Sequence, residues 1–346
     1  MDIVAVHHLP SRVIHIQEVE YLFFSGTNYL GIGCHEQFRS TLIQEMAKYG
    51  TIYSSSRNSN LQLSIYKETE AFFANKYGFE DAIITTSGLL AGQMALSALK
   101  NQKIVYAPSV HPAIRSQDKQ TLHKKFDCSY QEFAKGITDV VEDVDFPVVI
   151  ATNTIDNIRC ENYDFNWIKH LPNSQEITLL FDYSHGIGLL DLDENILSAK
   201  KHKEVLVIAS LAKAMGLPGG LILAGRKIIT RIRNNPMFVG ASPMIPAYLS
   251  AFLSSHQLYE DCLHQLQENI KYFNYLNKYP FQSSSNFPVY YTSDNIYKQL
   301  FEKNIFVSNF SYPNPLDKPL SRIVLNAAHT ERDIEKLTQE LNRINH

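Results

Sequence analysis

An α/β protein with a mostly parallel sheet, joined to a smaller α+β domain, is what this chain predicts. Three observations carry that reading. Apolar runs of four to six residues recur between residues 81 and 224, and they are continuous, not alternating. Strands buried on both faces have that pattern. Helical stretches separate the runs, which calls for helices on both sides of a mainly parallel sheet. Beyond about residue 235 the rhythm changes to a long helical stripe followed by short strand candidates and a final helix.

Taken in order, residues 1–50 read as an N-terminal segment. Tyr21 to Phe24 is a short strand candidate, Ser25 to Gly33 a glycine-punctuated loop, and Gln37 to Lys48 a helix stopped by Gly50. Residues 51–235 form the large domain. Its first helix spans about Leu61 to Tyr77, with Leu63, Tyr66, Glu70, Phe73 and Tyr77 at helical spacing and Gly78 behind it. The strands follow: Ala82 to Thr85, Ile104 to Tyr106, Pro147 to Thr152, Thr178 to Phe181, Val205 to Ala209 and Gly220 to Ala224. Residues 236–346 form the small domain. Ile245 to Tyr279 is one long helix or two, ended by Pro280. Three strand candidates contain Tyr290, Phe306 and Ile323. Thr330, with Asp333 three residues on, caps the last helix.

Composition narrows the function classes. The chain has 346 residues, 45% of them hydrophobic and 19% charged, as in an ordinary globular protein. A formal net charge of -3 offers no basic field for nucleic acid or a membrane surface. No apolar run reaches membrane-spanning length, and the first residues lack a signal-peptide pattern, so a cytoplasmic protein is expected. Cys34, Cys128, Cys160 and Cys262 are scattered without a Cys-x-x-Cys pair, which fits reduced thiols and argues against a zinc site. The thirteen histidines include no His-x-x-x-His pair, so no metal is expected.

Polar residues cluster where the predicted strands end: Ser87, His111, Asn153, Asp182, and Ser210 with Lys213. In open α/β sheets the carboxyl edge is where ligands bind. A strand, then Ser87-Gly88-Leu89, then a helix offers backbone N–H groups and a helix N-terminus to a phosphate. Asp182 is a half-buried carboxylate that needs a cationic partner, and a protonated pyridinium nitrogen is one. Lys213, between two buried runs, is an amine placed for Schiff-base chemistry. Each feature also has a plain structural reading: a helix cap, a turn cap with a loop histidine at His185, a loop histidine at His111, and a surface lysine.

Together, and in this order, the motifs resemble fold-type I pyridoxal phosphate (PLP) enzymes, and more narrowly the α-oxoamine synthase family. The residues concerned are Asn28-Tyr29-Leu30-Gly31, Ser56-Arg57, Ser87-Gly88, Val110-His111, Asp182-Tyr183-Ser184-His185-Gly186, Ser210-Leu211-Ala212-Lys213-Ala214 and His329-Thr330. The resemblance implies a PLP-dependent transferase that condenses an amino acid with an acyl-CoA and releases CO₂. It implies that Lys213 holds PLP and later moves protons at the substrate α-carbon. Asp182 keeps the pyridine nitrogen protonated, His185 bonds the ring oxygen, and His111 stacks on the ring. Ser87, Gly88, Leu89 and Ser210 hold the phosphate, and Ser242 reaches it from a second subunit, which implies a homodimer with a shared site. Asn28 and Arg322 fall on the amino-acid side, Arg322 pairing with its carboxylate.

The likeness is weakest after the strand ending near Thr152. Family members carry an acidic residue and a Ser-Met-Asp-Gly run there; this chain has Asn153-Thr154-Ile155-Asp156-Asn157-Ile158-Arg159-Cys160. That leaves two other readings open: an aminotransferase or aldolase-type enzyme on the same scaffold, and a PLP-fold protein that binds a ligand or partner without turnover.

Overall fold

The structure is a computed structural model. It describes residues 4–345 except 100–101, 117–122, 127, 143–146, 157, 159–160, 175, 283–285 and 312–317, and only the backbone of 123–125. Among the described residues, twelve strands form two sheets. Near the N-terminus lie β1 (Val13–Ile16) and β2 (Val19–Phe24). The middle of the chain supplies β3 (Asp81–Thr85), β4 (Lys103–Tyr106), β5 (His123–Lys125), β6 (Val148–Asn153), β7 (Ile177–Asp182), β8 (Glu204–Ser210) and β9 (Gly220–Ala224). The last three are β10 (Val289–Thr292), β11 (Ile305–Phe310) and β12 (Leu320–Val324).

The large sheet has the order β3-β9-β8-β7-β6-β4-β5. From β8 to β5 every pairing is parallel, while β9 runs antiparallel to both of its neighbours. Every residue of β6 and of β7 is buried, as the continuous apolar runs predict. At the carboxyl edge the register sets Asn153 opposite Asp182. Polar residues of neighbouring parallel strands thus end at one height.

The small sheet has the order β1-β2-β11-β12-β10 and draws on both ends of the chain. β2 pairs with β11 in parallel, and the other pairings are antiparallel. The predicted long helix is two, Pro246–Ser254 and His256–Leu276, joined at Ser255. Thr330 and Asp333 form the expected capping box on helix Glu331–Ile344.

A knot of side chains ties these ends together. His329 is buried; its Nδ1 accepts the Asn326 N–H at 3.0 Å, so its Nε2 carries the proton and donates to the Phe23 carbonyl at 3.0 Å. Asn269 of the long helix donates to the carbonyls of Asn326 and His329. Arg12 Nη1 donates to both carboxylate oxygens of Asp333, at 2.8 and 3.0 Å. The same loop donates the Ala327 N–H to the Tyr29 carbonyl at 2.9 Å, which fixes the segment that runs back to the large sheet.

Candidate active site

The phosphate end of the site begins at Ser87, the N-cap of helix Gly88–Ala98. Its hydroxyl accepts the Leu90 N–H, which leaves the Gly88 and Leu89 amides at the open start of the helix. Gly88 lies directly against Ser210: a Cβ on Gly88 would sit 2.7 Å from the Ser210 Cβ. Only a glycine lets the helix start come this close to the end of β8. The Ser210 N–H donates to the Ser184 hydroxyl at 2.8 Å, joining the turn after β7 to the turn after β8.

Lys213 is half-buried in that second turn, which closes through Leu217 N–H to the Leu211 carbonyl. Gly216 has a φ of +62° and meets Ile32 and the Gly33 backbone, so the N-terminal segment braces the lysine loop. Asp182 is buried, and its Oδ1 accepts the Ser184 N–H at 2.9 Å. His185 is buried, and its Nδ1 shares a 2.8 Å hydrogen bond with the Tyr29 hydroxyl. Burial, then the charges of Lys213 and Arg322 and the neighbouring His111, hold His185 well below the ordinary histidine range, so it is neutral.

His111 is less enclosed. Its Nδ1 accepts the Ala113 N–H at 3.2 Å and lies 3.6 Å from Asp182 Oδ2. Burial lowers its pKa; Asp182 pulls it up, and Lys213 and Arg115 push it down, with a net lowering. Lys213, Asp182, His185 and His111 therefore share one electrostatic neighbourhood, and Arg322 reaches into it from the small sheet. Arg322 stands on β12 between Tyr291 and Ser308 of its neighbours, and its guanidinium lies over the Phe310 ring.

The residues present fit a phosphorylated pyridine. A helix start with a crowded glycine would suit the phosphate, the buried Asp182 carboxylate would suit a protonated ring nitrogen, and the two imidazoles would suit the ring itself. Two buried atoms, Asn28 Oδ1 and Arg322 Nε, have no hydrogen-bond partner among the described residues, which leaves them for a ligand to satisfy. Ser242 is the exception. It is exposed, in the loop before helix Pro246–Ser254, and its hydroxyl makes no hydrogen bond among the described residues.

Three contributors have hydrogen-bonding roles that the motifs do not assign. Tyr29 holds His185, Ser184 bridges two strand-end turns, and Asn153 holds the loop that carries His111. Their position at strand ends or inside a motif is visible in the sequence; their hydrogen-bond partners are not. In the altered stretch, the Thr154 N–H donates to the Asp182 carbonyl and the Tyr163 hydroxyl to Asp156. Asn157, Arg159 and Cys160 lie outside the described residues. On that flank a cavity of about 840 Å³ is walled by Ser109, Tyr130, Asp156, Tyr163 and Trp167.

The family model for aminotransferase class I and II matches residues 43–341, and the chain belongs to that family. Its fold is that of the fold-type I PLP-dependent enzymes. The serine palmitoyltransferase of Sphingomonas wittichii superposes with a TM-score of 0.82 at 16% identity, covering 98% of this chain and 91% of that one. The 8-amino-7-oxononanoate synthase of Francisella tularensis gives 0.73 at 19%, covering 94% and 98%. Another neighbour, with a TM-score of 0.82 at 14% identity over 99% and 92%, was solved as SPT with PLP internal aldimine. By sequence, the 8-amino-7-oxononanoate synthase of Thermosipho melanesiensis is 24% identical over 92% of this chain and 87% of its own. The serine palmitoyltransferase of Bacteriovorax stolpii is 21% identical over 97% and 85%. Family, fold and cradle thus agree on a PLP-dependent transferase, and the named relatives stand on the α-oxoamine synthase side of that class.

Proposed function

We propose that the chain condenses an amino acid with an acyl-CoA thioester, with loss of CO₂ and release of CoA. The observation that supports it best is the meeting of Lys213, Asp182, His111 and His185 at one sheet edge with Arg322 directed at them from the other sheet. Bound PLP supplies an electron sink for charge that develops at the amino acid's α-carbon. Lys213 is the covalent holder of the cofactor and afterwards the base that moves a proton at that carbon. Asp182 holds a proton on the ring nitrogen. The Gly88 and Leu89 amides with Ser210 bind the phosphate. Neutral His185, held by Tyr29, offers its other ring nitrogen to the ring oxygen. Arg322 pairs with the substrate carboxylate, and Asn28 lies on the same side.

A homodimer with a shared site goes with this reading. Ile52, Leu61, Met237 and Val239 are exposed apolar residues on two segments joined by Ser56 to the Val239 carbonyl and Asn58 to the Arg233 carbonyl. Ser242 follows them and is exposed, and in this reading it would reach a partner's phosphate. A cytoplasmic location fits a chain in which no described helix is long and apolar enough to cross a membrane.

The test is to incubate the purified protein with single amino acids, with and without acyl-CoA. CoA released only when both are present is the expected result. An aminotransferase is the second reading, favoured by Asn153 where family members are acidic. Keto acid formed with a keto acceptor and no CoA would decide for it.

A further inference from the structure

β6 ends in Asn153, whose side chain is 1% exposed. Its Oδ1 accepts the His111 backbone N–H at 3.0 Å, and its Nδ2 donates to the Ser109 carbonyl at 2.9 Å. One planar amide thus grips both sides of the short loop between β4 and His111. The loop needs gripping, because Ser109 has a φ of +57°, a left-handed conformation that a serine adopts at a cost. A carboxylate at this position has no N–H for the Ser109 carbonyl, and a hydrocarbon has neither group.

The grip decides where the imidazole stands. His111 Nδ1 takes the Ala113 N–H and stays 3.6 Å from Asp182 Oδ2, too far for a hydrogen bond. The charged and titratable groups around the ring are Asp182, Lys213, Arg115 and His185. If His111 moved toward Asp182 it would gain a proton and pair with that carboxylate. Asp182 would then no longer be available to a ring nitrogen.

We propose that Asn153 is a positioning residue whose amide fixes His111 beside the cofactor and keeps Asp182 free for it. This rests on the PLP reading above, but its first readout does not need the cofactor. The experiment compares wild type with Asn153→Asp, an isosteric change that removes the donor and adds an anion. In cofactor-free protein carrying ring-labelled histidine, the His111 signal, identified by its loss in His111→Gln, is followed through a pH titration. We expect its midpoint to rise in the variant. With PLP added, we expect affinity to fall roughly tenfold, as for one lost hydrogen bond to a buried group. The induced circular dichroism of the cofactor should change while borohydride still fixes it to Lys213. If Asn153→Asp does not fold, Asn153→Leu carries the same three expectations, because an opened loop relieves the burial of His111. An unchanged His111 midpoint in a folded variant overturns the proposal, even where the melting temperature has dropped. Wild-type protein that takes up no PLP defeats the cofactor reading alone, and the titration still decides the role of Asn153.

Discussion

The two sheets contribute to the site by different physics. The large sheet builds its part from strand ends and close backbone approach: Gly88 against Ser210, Ser184 bridging to the next turn, Asp182 level with Asn153. The small sheet delivers Arg322 and the Asn28–Gly33 segment through the hydrogen-bonded knot around His329, a buried imidazole that must remain neutral. The large-sheet part rests on close packing, and the small-sheet part depends on a protonation state.

The largest effect should come from removing the amine on the large-sheet side. Lys213→Ala is expected to leave no cofactor attached after borohydride reduction, read by peptide mass, with turnover down by at least about three orders of magnitude and far-ultraviolet circular dichroism unchanged. Attachment at another lysine would remove Lys213 from its role. Next comes shape: Gly88→Ala forces a methyl into Ser210, and overpacking of about 1–3 kcal/mol predicts PLP affinity lower by at least about fivefold. Gly136→Ala is the control, since a Cβ there meets nothing within 4 Å. Equal affinities for the two variants would contradict a cradle made by close approach.

The small-sheet side should yield to acid. Burial lowers His329 to about 4, against 6.5 for an exposed histidine, with the Phe23 carbonyl pulling the other way. The unfolded chain thus binds a proton that the folded chain refuses. The stabilisation is complete above about pH 6.5 and is lost as pH falls toward about 4, up to about 3 kcal/mol in all. Urea unfolding of wild type and His329→Asn from pH 7 to pH 4.5 checks this: the gap between them should narrow as pH falls. A constant gap would mean that His329 is not the titrating group.

Much of this was legible from side-chain type and order. Continuous apolar runs located six strands of the large sheet, and the residues after them, Ser87, His111, Asp182 and Ser210 with Lys213, do line one edge. β5, His123-Lys124-Lys125, escaped because an edge strand of charged residues carries no apolar signal. β1 escaped because it is a sheet-edge strand with a single buried residue, Ile14, and so no continuous apolar run. The break at Ser255 lies inside an unbroken apolar stripe, so periodicity passes over it. Asn153 was visible as a departure from the family, but its work depends on where the Ser109 carbonyl points, which no local pattern encodes. Asn28 and Arg322 were legible only through the resemblance, since the cross-sheet meeting that gives them meaning is set by the tertiary fold.

The parallel pairing of β2 with β11 gives the chain a timetable. A ribosome releases residues 19–24 long before residues 305–310, and the intervening chain can fold its own parallel sheet in the meantime. The strand that leads into Asn28 and the lysine brace has only β1 beside it until the last part of the message is read. A nascent chain arrested before β11 should therefore hold a nearly finished cofactor cradle with an unhooked front, and a premature stop codon there leaves an exposed strand edge ready to join another chain.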